Sequence, residues 1–553
     1  MKLGKWIHTG APWVWLNAAA VSASILLVGG LLLLLTLRGT GHFWPTAVHE
    51  FISLDEQGAQ TRLVGQIREQ EHVPMERMGD QAAFLVGQDG MVTRILLKTG
   101  NRDLTGQDFR WILLEQVIQQ NTPLSMTVLE RQEWGVFFGY VIGLKTAGVL
   151  LESRDVWTDF QQMLDRVSRL RDEIEQLEKD EIGSINYRLE RLRLQQRRLQ
   201  LDGGDSPEAN ADIERERQAL QQQYQSLEVR LQALHESMQQ DAVVMRTATD
   251  EGSDRELPLS SIIDAWRPNA MSMTARLGHF FRHLWSFITD EPREANTEGG
   301  IFPAIYGTIL MVLLMTVFVT PFGVVAGVYL KEYARQGLLT RTIRIAVNNL
   351  AGVPSIVYGV FGLGFFVYTL GGSIDRLFFE AALPAPTFGT GGLFWASFTM
   401  SLLALPIVIV STEEGLARIP RSIREGSLAL GATQWETLWR TIIPMASPGI
   451  MTGLILAVAR AAGEVAPLML VGVVKLAPAL PLDGNYPFLH MERKFMHMGF
   501  HIYDVGFQSP NVEAARPLVY ATAMLLVLVI LLLNIVAIRM RNRLREKYRG
   551  LES

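Results

Sequence analysis

The chain has 553 residues and a mean hydropathy of +0.16, and it combines 48% hydrophobic with 19% charged residues. Since both classes are abundant, the apolar residues must be concentrated in particular segments. The net charge of −5 gives no indication of nucleic-acid binding, and the absence of cysteine excludes disulfides and thiolate metal sites.

The first apolar run covers residues 13–37 and follows two lysines. Its 25 residues can cross a bilayer core of ~30 Å. No small-x-small cleavage site precedes the polar residues 38–40, so we predict an uncleaved membrane anchor, residues 1–38, rather than a signal peptide.

Residues 39–300 are predicted to form an extramembrane α+β insertion. The stretches TRLVGQI (61–67), AAFLVGQ (82–88) and GMVTRILL (90–97) favour strands. The apolar run 136–151 is short and interrupted, and it favours buried strands over a membrane span.

A helical hairpin is predicted at about residues 160–240. Apolar residues follow a heptad spacing that shifts by one position between Leu177 and Ile182 and then continues. The breaker DGGDSP (202–207) separates them from a second heptad series. This pattern indicates an antiparallel coiled-coil hairpin, which would project roughly 60 Å. The hairpin could serve as a docking arm for a periplasmic partner. The alternative is a spacer or a self-association device.

Residues 272–288 (SMTARLGHFFRHLWSFI) are amphipathic, with basic and aromatic side chains. Such a segment is typical of a helix in the membrane interface. Participation in a transport gate is the alternative.

Five further apolar runs predict the spans of an α-helical membrane domain at 301–541. They cover 305–330, 353–370, 393–410, 450–473 and 518–538. A basic tail, 542–553, follows. Lys and Arg are frequent in loop 331–350 and after residue 538 but rare in loop 372–392, which predicts that both termini are cytoplasmic and that the insertion is periplasmic.

Residues 424–444 (REGSLALGATQWETLWRTIIP) form a polar segment between two apolar runs. Gly431 interrupts a helix, and Thr433 with Glu436 three residues later matches a capping box. We therefore predict a short helix that ends at Pro444. An ordered helix on the aqueous side of a membrane protein suggests a surface that another protein recognises, whereas the alternative is an ordinary linker.

Arg460 and Glu464 lie four residues apart within the predicted fifth span, where they share a helix face and can pair. A lone charge in a bilayer costs ~2.5–3.5 kcal/mol on insertion scales. The functional interpretation is a substrate path. In it the Arg460 guanidinium binds an anion, and the Glu464 carboxylate balances the guanidinium charge when no anion is bound. The alternative is a structural pair between helices.

The sequence also bears on nucleotide and metal binding. The chain has no G-x-x-x-x-G-K-[ST] motif, so it is not expected to bind ATP through a P-loop. His497 and His501 are four residues apart, near His490 and Glu492, but without a third ligand at fixed spacing they favour packing over metal binding. We predict no metal site and no catalytic residue.

The spacing from Glu425 to Gly431 and from Gly431 to Pro444 resembles the EAA loop of ABC-importer permeases, which docks on the ATPase subunit. Four motifs, GVYLKEYA (327–334), LAGVPSIVYGVFGLG (350–364), EGSLALGATQWETLWRTIIP (425–444) and RAAGEVAPLM (460–469), are similar to those of PstA-type permeases of phosphate importers. DEPREANTEGG (290–300) is similar to the longer members, and the rest of the insertion lies outside the resemblance.

The resemblance implies a type I permease core of five spans, preceded in this chain by the anchor, in a bacterial inner membrane. It implies a PstC-like second permease, two PstB-like ATPases that bind ATP and Mg²⁺, and a PstS-like periplasmic phosphate-binding protein. It also implies that one set of residues couples the chain to the ATPase: Glu425, Gly431, Thr433, Trp435, Glu436 and Pro444. Two alternatives stay open, a permease for sulfate or molybdate and a membrane-anchored coiled-coil scaffold or sensor of phosphate status.

Overall fold

The computed structural model describes residues 10–54, 60–74, 91–204, 206–247, 252–509 and 512–548. The strand prediction for residues 82–88 lies outside these ranges. Helix α1, Ala11–Gly41, contains the expected anchor segment and packs along the C-terminal helix. Gly39 allows close contact with Tyr520 and Met524, and the Arg38 guanidinium lies 5.7 Å from the centre of the Tyr520 ring.

The insertion contains two antiparallel sheets. The first has the order β4-β3-β2-β1-β5. Its strands are β1 His49–Leu54, β2 Gln60–Pro74, β3 Met91–Lys98, β4 Phe109–Leu113 and β5 Val117–Asn121, with a short helix α2, Arg102–Thr105, between β3 and β4. Phe51, Ile95 and Leu97 are buried in one cluster. Strands β2 and β3 confirm the strand predictions for 61–67 and, among the described residues, for 91–97.

The second sheet has the order β10-β9-β7-β6-β11, with β8 paired to β7. Its strands are β6 Thr127–Arg131, β7 Val136–Thr146, β8 Val149–Leu150, β9 Asp241–Thr247, β10 Asp254–Pro258 and β11 Ile262–Trp266. The apolar run 136–151 therefore forms strands, as expected.

The hairpin leaves and re-enters this second sheet. Its first arm is α3, Val156–Gln176, continued by α4, Gly183–Leu201, and its second arm is α5, Pro207–Gln239. A stretch of π-helix, Leu177–Ile182, joins α3 to α4 at the skipped heptad position. Because a π-turn holds one extra residue, it keeps the apolar residues on one face.

The two arms run antiparallel. Arg230 pairs with Glu173 at 2.6 Å, and Arg188 pairs with Glu216 at 3.3 Å. Phe160 and neighbouring residues of α3 pack on the second sheet, while the distal part of the hairpin has its own cluster. That distal cluster consists of Ile185, Leu192, Ile213 and Leu220.

The hairpin also contacts the loop of the membrane domain that contains Tyr486 and His490, so it does not project freely. The Tyr187 hydroxyl donates to the Tyr486 carbonyl, and its ring lies 5.6 Å from the His490 ring. The Arg191 guanidinium lies 5.8 Å from the centre of the Tyr486 ring.

Helix α6, Met273–Thr289, is capped by Ser272, whose hydroxyl accepts from the Ala275 N–H at 3.3 Å. One stripe at four-residue spacing is exposed: Met273, Leu277, Phe281 and Trp285. The opposite face buries His279 and Phe287, which confirms the amphipathic pattern. A short hairpin of β12, Pro292–Arg293, and β13, Glu298–Gly299, follows.

Within the described ranges, six helical segments are long and apolar enough to cross a membrane. The helices from α7 onward are α7 Phe302–Val328, α8 Leu338–Leu350, α9 Ser355–Phe361, α10 Gly372–Phe378, α11 Leu393–Ala417, α12 Arg421–Ala429, α13 Gln434–Thr437, α14 Ile443–Gly463, α15 Ala466–Val471, α16 Met498–Tyr503 and α17 Val512–Tyr548. The basic residues after 541 continue α17 to Tyr548, because Arg, Lys and Glu favour helix.

The membrane core lies where α7, α11 and α14 pack together. Small residues permit this contact: a Cβ on Gly449 would lie 2.7 Å from the Gly415 Cα. Such close backbone approach is typical of helices that associate in lipid.

Candidate functional site

The segment predicted to couple the chain to an ATPase, residues 424–444, is called the coupling segment. It consists of two short helices joined by a tight turn. Helix α12 ends before Gly431, whose φ of +88° is in the left-handed region that favours glycine. The capping box then starts α13: the Glu436 N–H donates to the Thr433 hydroxyl at 3.2 Å, and the Thr433 N–H donates to the Glu436 carboxylate at 2.9 Å. This part of the sequence prediction is confirmed.

The end of this short helix was predicted wrongly. Helix α13 does not end at Pro444 but passes through a stretch of π-helix, Leu438–Ile442, into α14. Pro444 lies in the first turn of α14, where its missing N–H is tolerated. The coupling segment is therefore continuous with a membrane helix, which covers 434–463 rather than the expected 450–473.

Polar contacts fix this segment to the membrane domain. Arg424 donates to the Glu332 carboxylate at 2.8 Å and to the carbonyls of Leu416 and Ile419. The hydroxyls of Ser427 and Thr437 lie 2.9 Å apart and join α12 to α13. Arg424 and Glu332 were missed from sequence because they lie 92 residues apart.

The segment presents apolar side chains to solvent. The Trp435 and Trp439 rings are stacked with centroids 5.7 Å apart, and their side chains are 62% and 61% exposed. Leu430, next to the turn, is 91% exposed, and Glu425 is exposed on α12. Trp439 was not among the predicted site residues, although its four-residue spacing from Trp435 places both on one helix face.

The structure brings Arg460 and Glu464 together near the end of α14. Arg460 Nε lies 3.4 Å from Glu464 Oε1, and the side chains are 33% and 22% exposed. Helix α14 ends at Gly463, and α15 starts at Ala466 with Pro467 in its first turn. The predicted pair is present, but Glu464 follows the last residue of α14 and does not lie inside a continuous span.

The histidines near 500 are packed into the membrane domain. The Gly499 N–H donates to His497 Nδ1 at 3.1 Å, and His501 Nδ1 lies 3.4 Å from the Thr522 hydroxyl. Burial lowers the pKa of His497 to about 3 and that of His501 to about 4. Within the described part of the chain, the cluster with metal-ligand spacing lies elsewhere, at Asp264, His279 and His283.

The chain is similar to known transport proteins. The model of the family described as binding-protein-dependent transport system inner membrane component matches residues 319–550. Phosphate transport system permease protein PstA of Mycobacterium leprae (strain TN) is 37% identical over 188 residues, which are 34% of this chain and 56% of that protein. The PstA protein of Xylella fastidiosa (strain 9a5c) is 36% identical over 189 residues, 34% of this chain and 58% of that protein.

A probable ABC transporter permease protein, YqgI of Bacillus subtilis (strain 168), is 30% identical over 237 residues, 42% of this chain and 74% of that protein. The solved structure of the MetNI methionine ABC transporter in inward-facing conformations matches at 20% identity with a TM-score of 0.32, covering 44% of this chain and 94% of that one.

The chain belongs to the family of binding-protein-dependent transport system inner membrane components. With six apolar helices, it is a multi-pass inner membrane protein of the ABC-importer permease class, extended by a β-rich insertion. Its permease region is similar to proteins named PstA, and the chain spans little more than half the length of the two PstA relatives.

Proposed function

We propose that this chain is the permease subunit of an ATP-driven importer that moves inorganic phosphate across the inner membrane. The observation that carries the proposal is the 36–37% identity of its permease region to two proteins named phosphate transport system permease PstA. In this proposal the chain performs no hydrolysis itself, and a partner ATPase binds ATP and Mg²⁺.

The ATPase partner, of PstB-like type, docks on the coupling segment. Its docking surface is the coupling patch, which we define as Leu430, Trp435 and Trp439. These three apolar side chains are each more than 60% exposed, and they support this assignment because exposed apolar patches mark protein contacts. Since α13 is continuous with α14, movement of the patch is transmitted directly to a membrane helix.

This assignment sets the orientation. The coupling patch lies in the cytoplasm with both termini, in agreement with the Lys and Arg distribution, and the β-rich insertion lies in the periplasm. Five spans then form the type I core and α1 is the additional anchor.

Arg460 and Glu464 form part of the phosphate path, which a PstC-like second permease completes. Within the described ranges one long contact of 3.4 Å joins the pair, and most of the guanidinium N–H groups have no partner there and are available to an anion. Partial exposure of both side chains supports access from a channel or from a second chain. A guanidinium can bind two phosphate oxygens at once, which gives selectivity for oxyanions.

The antiparallel arms form a coiled-coil hairpin at the outer surface. The contact of Tyr187 with the outer loop at Tyr486 supports a role close to the channel entrance, where a PstS-like binding protein delivers phosphate. As a docking arm, the hairpin would guide that protein, and as a spacer it would only support the outer loops.

The test is uptake of radiolabelled phosphate in cells that depend on this chain, with Arg460→Gln. We expect at least a tenfold loss of phosphate uptake, unchanged membrane abundance and unchanged sulfate uptake. The matched control is Arg344→Gln, which removes another Arg–Glu pair, Arg344 to Glu413 at 3.1 Å, between α8 and α11.

Unchanged uptake in Arg460→Gln would return the pair to a structural role. If wild-type cells took up sulfate or molybdate through this chain instead of phosphate, the substrate assignment would be wrong. Absence of any transport with intact phosphate signalling would favour the scaffold or sensor.

A further inference from the structure

The insertion contains a cavity of about 1100 Å³ next to the membrane domain, lined by charged and apolar side chains. Both sheets contribute to its wall, together with α6 and the β12–β13 hairpin. Charged residues from distant parts of the chain face it, among them Arg68, Lys98 and Glu298. A wall of this kind keeps the cavity hydrated and gives an ion an aqueous route to its interior.

Three potential metal ligands meet on this wall. His279 and His283 are four residues apart on the same face of α6, and Asp264 lies on β11. One ligand atom from each residue lies within 4.8 Å of the other two. The two imidazole centroids are 4.0 Å apart, so the histidines are neighbours in space as well as on the helix.

The distance between Asp264 and His283 fits a shared ion. His283 Nε2 lies 3.4 Å from Asp264 Oδ2, which is long for a charge-assisted hydrogen bond of ~2.7–2.9 Å. Two ligands of a tetrahedral ion with bonds of about 2.0–2.1 Å are separated by about 3.3–3.4 Å. The side chains can therefore take an ion between them with little movement.

Surrounding contacts orient the donors. Asp264 Oδ1 accepts from the Ala265 N–H at 2.8 Å, which leaves Oδ2 directed toward His283. The Trp266 ring packs against both imidazoles, with centroid distances of 4.7 Å to His279 and 5.3 Å to His283. Such supporting contacts are a regular part of metal sites in proteins.

We propose that Asp264, His279 and His283 bind one divalent transition-metal ion, best matched by Zn²⁺, with a further coordination position open to the cavity. Two imidazoles and one carboxylate are a donor set that Zn²⁺ accepts readily, whereas Mg²⁺ and Ca²⁺ prefer oxygen ligands. None of the three ligands lies on a permease helix or in the coupling patch, because Asp264 is on β11 and both histidines are on α6.

The experiment uses the full-length protein in detergent, stripped with a chelator and titrated with Co²⁺ or Zn²⁺. We expect one ion per chain, with the visible absorption of a four-coordinate Co²⁺ site, and at least tenfold weaker binding in Asp264→Asn and His283→Gln. Zn²⁺ should raise the Tm of the wild-type protein but not that of Asp264→Asn.

The matched control is His235→Gln. His235 Nε2 also lies near a carboxylate, 3.7 Å from Glu178, but it belongs to no three-residue cluster in the described ranges. Its removal should leave stoichiometry and affinity unchanged. Equal binding by wild type, Asp264→Asn and His283→Gln would reveal an adventitious ion only and overturn the proposal. If those variants fail to fold, absence of stoichiometric Co²⁺ binding to the wild-type protein overturns it equally.

Discussion

The membrane helices and the β-rich insertion bury polar groups in different ways. In α11, Thr412 donates to the Val408 carbonyl at 2.7 Å, so a buried hydroxyl is satisfied within its own helix. In the insertion, the fully buried Asp241 pairs with Arg166 at 2.5 Å and accepts from Thr146 at 2.9 Å, which requires three separate elements.

The difference follows from the surrounding solvent. A helix in lipid must satisfy its polar groups locally, because no water compensates for an unpaired group. The insertion folds in water, where charges from distant segments can meet around a hydrated cavity. Thr308, Thr316 and Thr320 of α7 follow the same local pattern as Thr412. Asp241 and its partners show the long-range pattern of the insertion.

The largest effect should come from a backbone change in the coupling segment. Gly431 has φ +88°, and a valine there must adopt a conformation that costs roughly 1–2 kcal/mol or more. A Cβ at this position meets no atom within 4 Å, so the effect comes from the backbone alone. We expect Gly431→Val to reduce phosphate uptake at least tenfold with normal membrane abundance.

The control for that variant is Gly426→Ala, in helix α12, where a Cβ also meets no atom within 4 Å and no unusual φ is required. It should keep uptake within about twofold of wild type. Wild-type uptake by Gly431→Val would show that the turn does not position the coupling patch.

A smaller effect, on stability, should come from the cavity of the insertion. Burial raises the pKa of Glu298 from 4.5 to about 7, with Glu294 and Glu130 adding to the shift. The folded chain therefore binds a proton more tightly than the unfolded chain, and stability is lost as the pH rises from about 4.5 through 7.

In thermal unfolding, Glu298→Gln should match wild type at pH 5 and have a Tm roughly 2–4 °C higher at pH 8. Glu228→Gln, on the exposed face of the hairpin, should change neither value. A Tm of Glu298→Gln below wild type at pH 8 would contradict the assigned direction.

The smallest effect on transport should come from truncating the hairpin. Its distal cluster is separate from the cluster at its base, and Glu178 and His235 mark where the arms can be joined by a short turn. We expect replacement of residues 183–230 by a glycine-rich turn to keep phosphate uptake within about twofold.

Tyr187→Phe is the matching point variant, since it removes only the hydroxyl that contacts the Tyr486 carbonyl. If the truncation reduced uptake strongly while the chain remained in the membrane, the hairpin would act as a docking arm rather than as a spacer.

Much of the architecture could be predicted from local pattern. The capping box at Thr433, the turn at Gly431 and the apolar runs depend on residues close in sequence, and the structure contains the box, the turn and six apolar helices, the fifth of them at 434–463 instead of 450–473. The heptad skip before Ile182 likewise corresponds to a π-helical stretch. The continuation of the helix through Pro444 was missed, because a proline near a polar–apolar boundary fits either a helix end or a first turn.

By itself, the sequence determined the membrane segments, the strand-forming stretches, the hairpin and the family resemblance, because hydrophobic periodicity and short motifs are read over a few residues. Only the tertiary structure paired Arg424 with Glu332 and brought Asp264 beside His279 and His283. The second contact depends on how strand β11 and helix α6 pack beside the cavity. The spacing of residues along the chain does not specify the distance between their side chains.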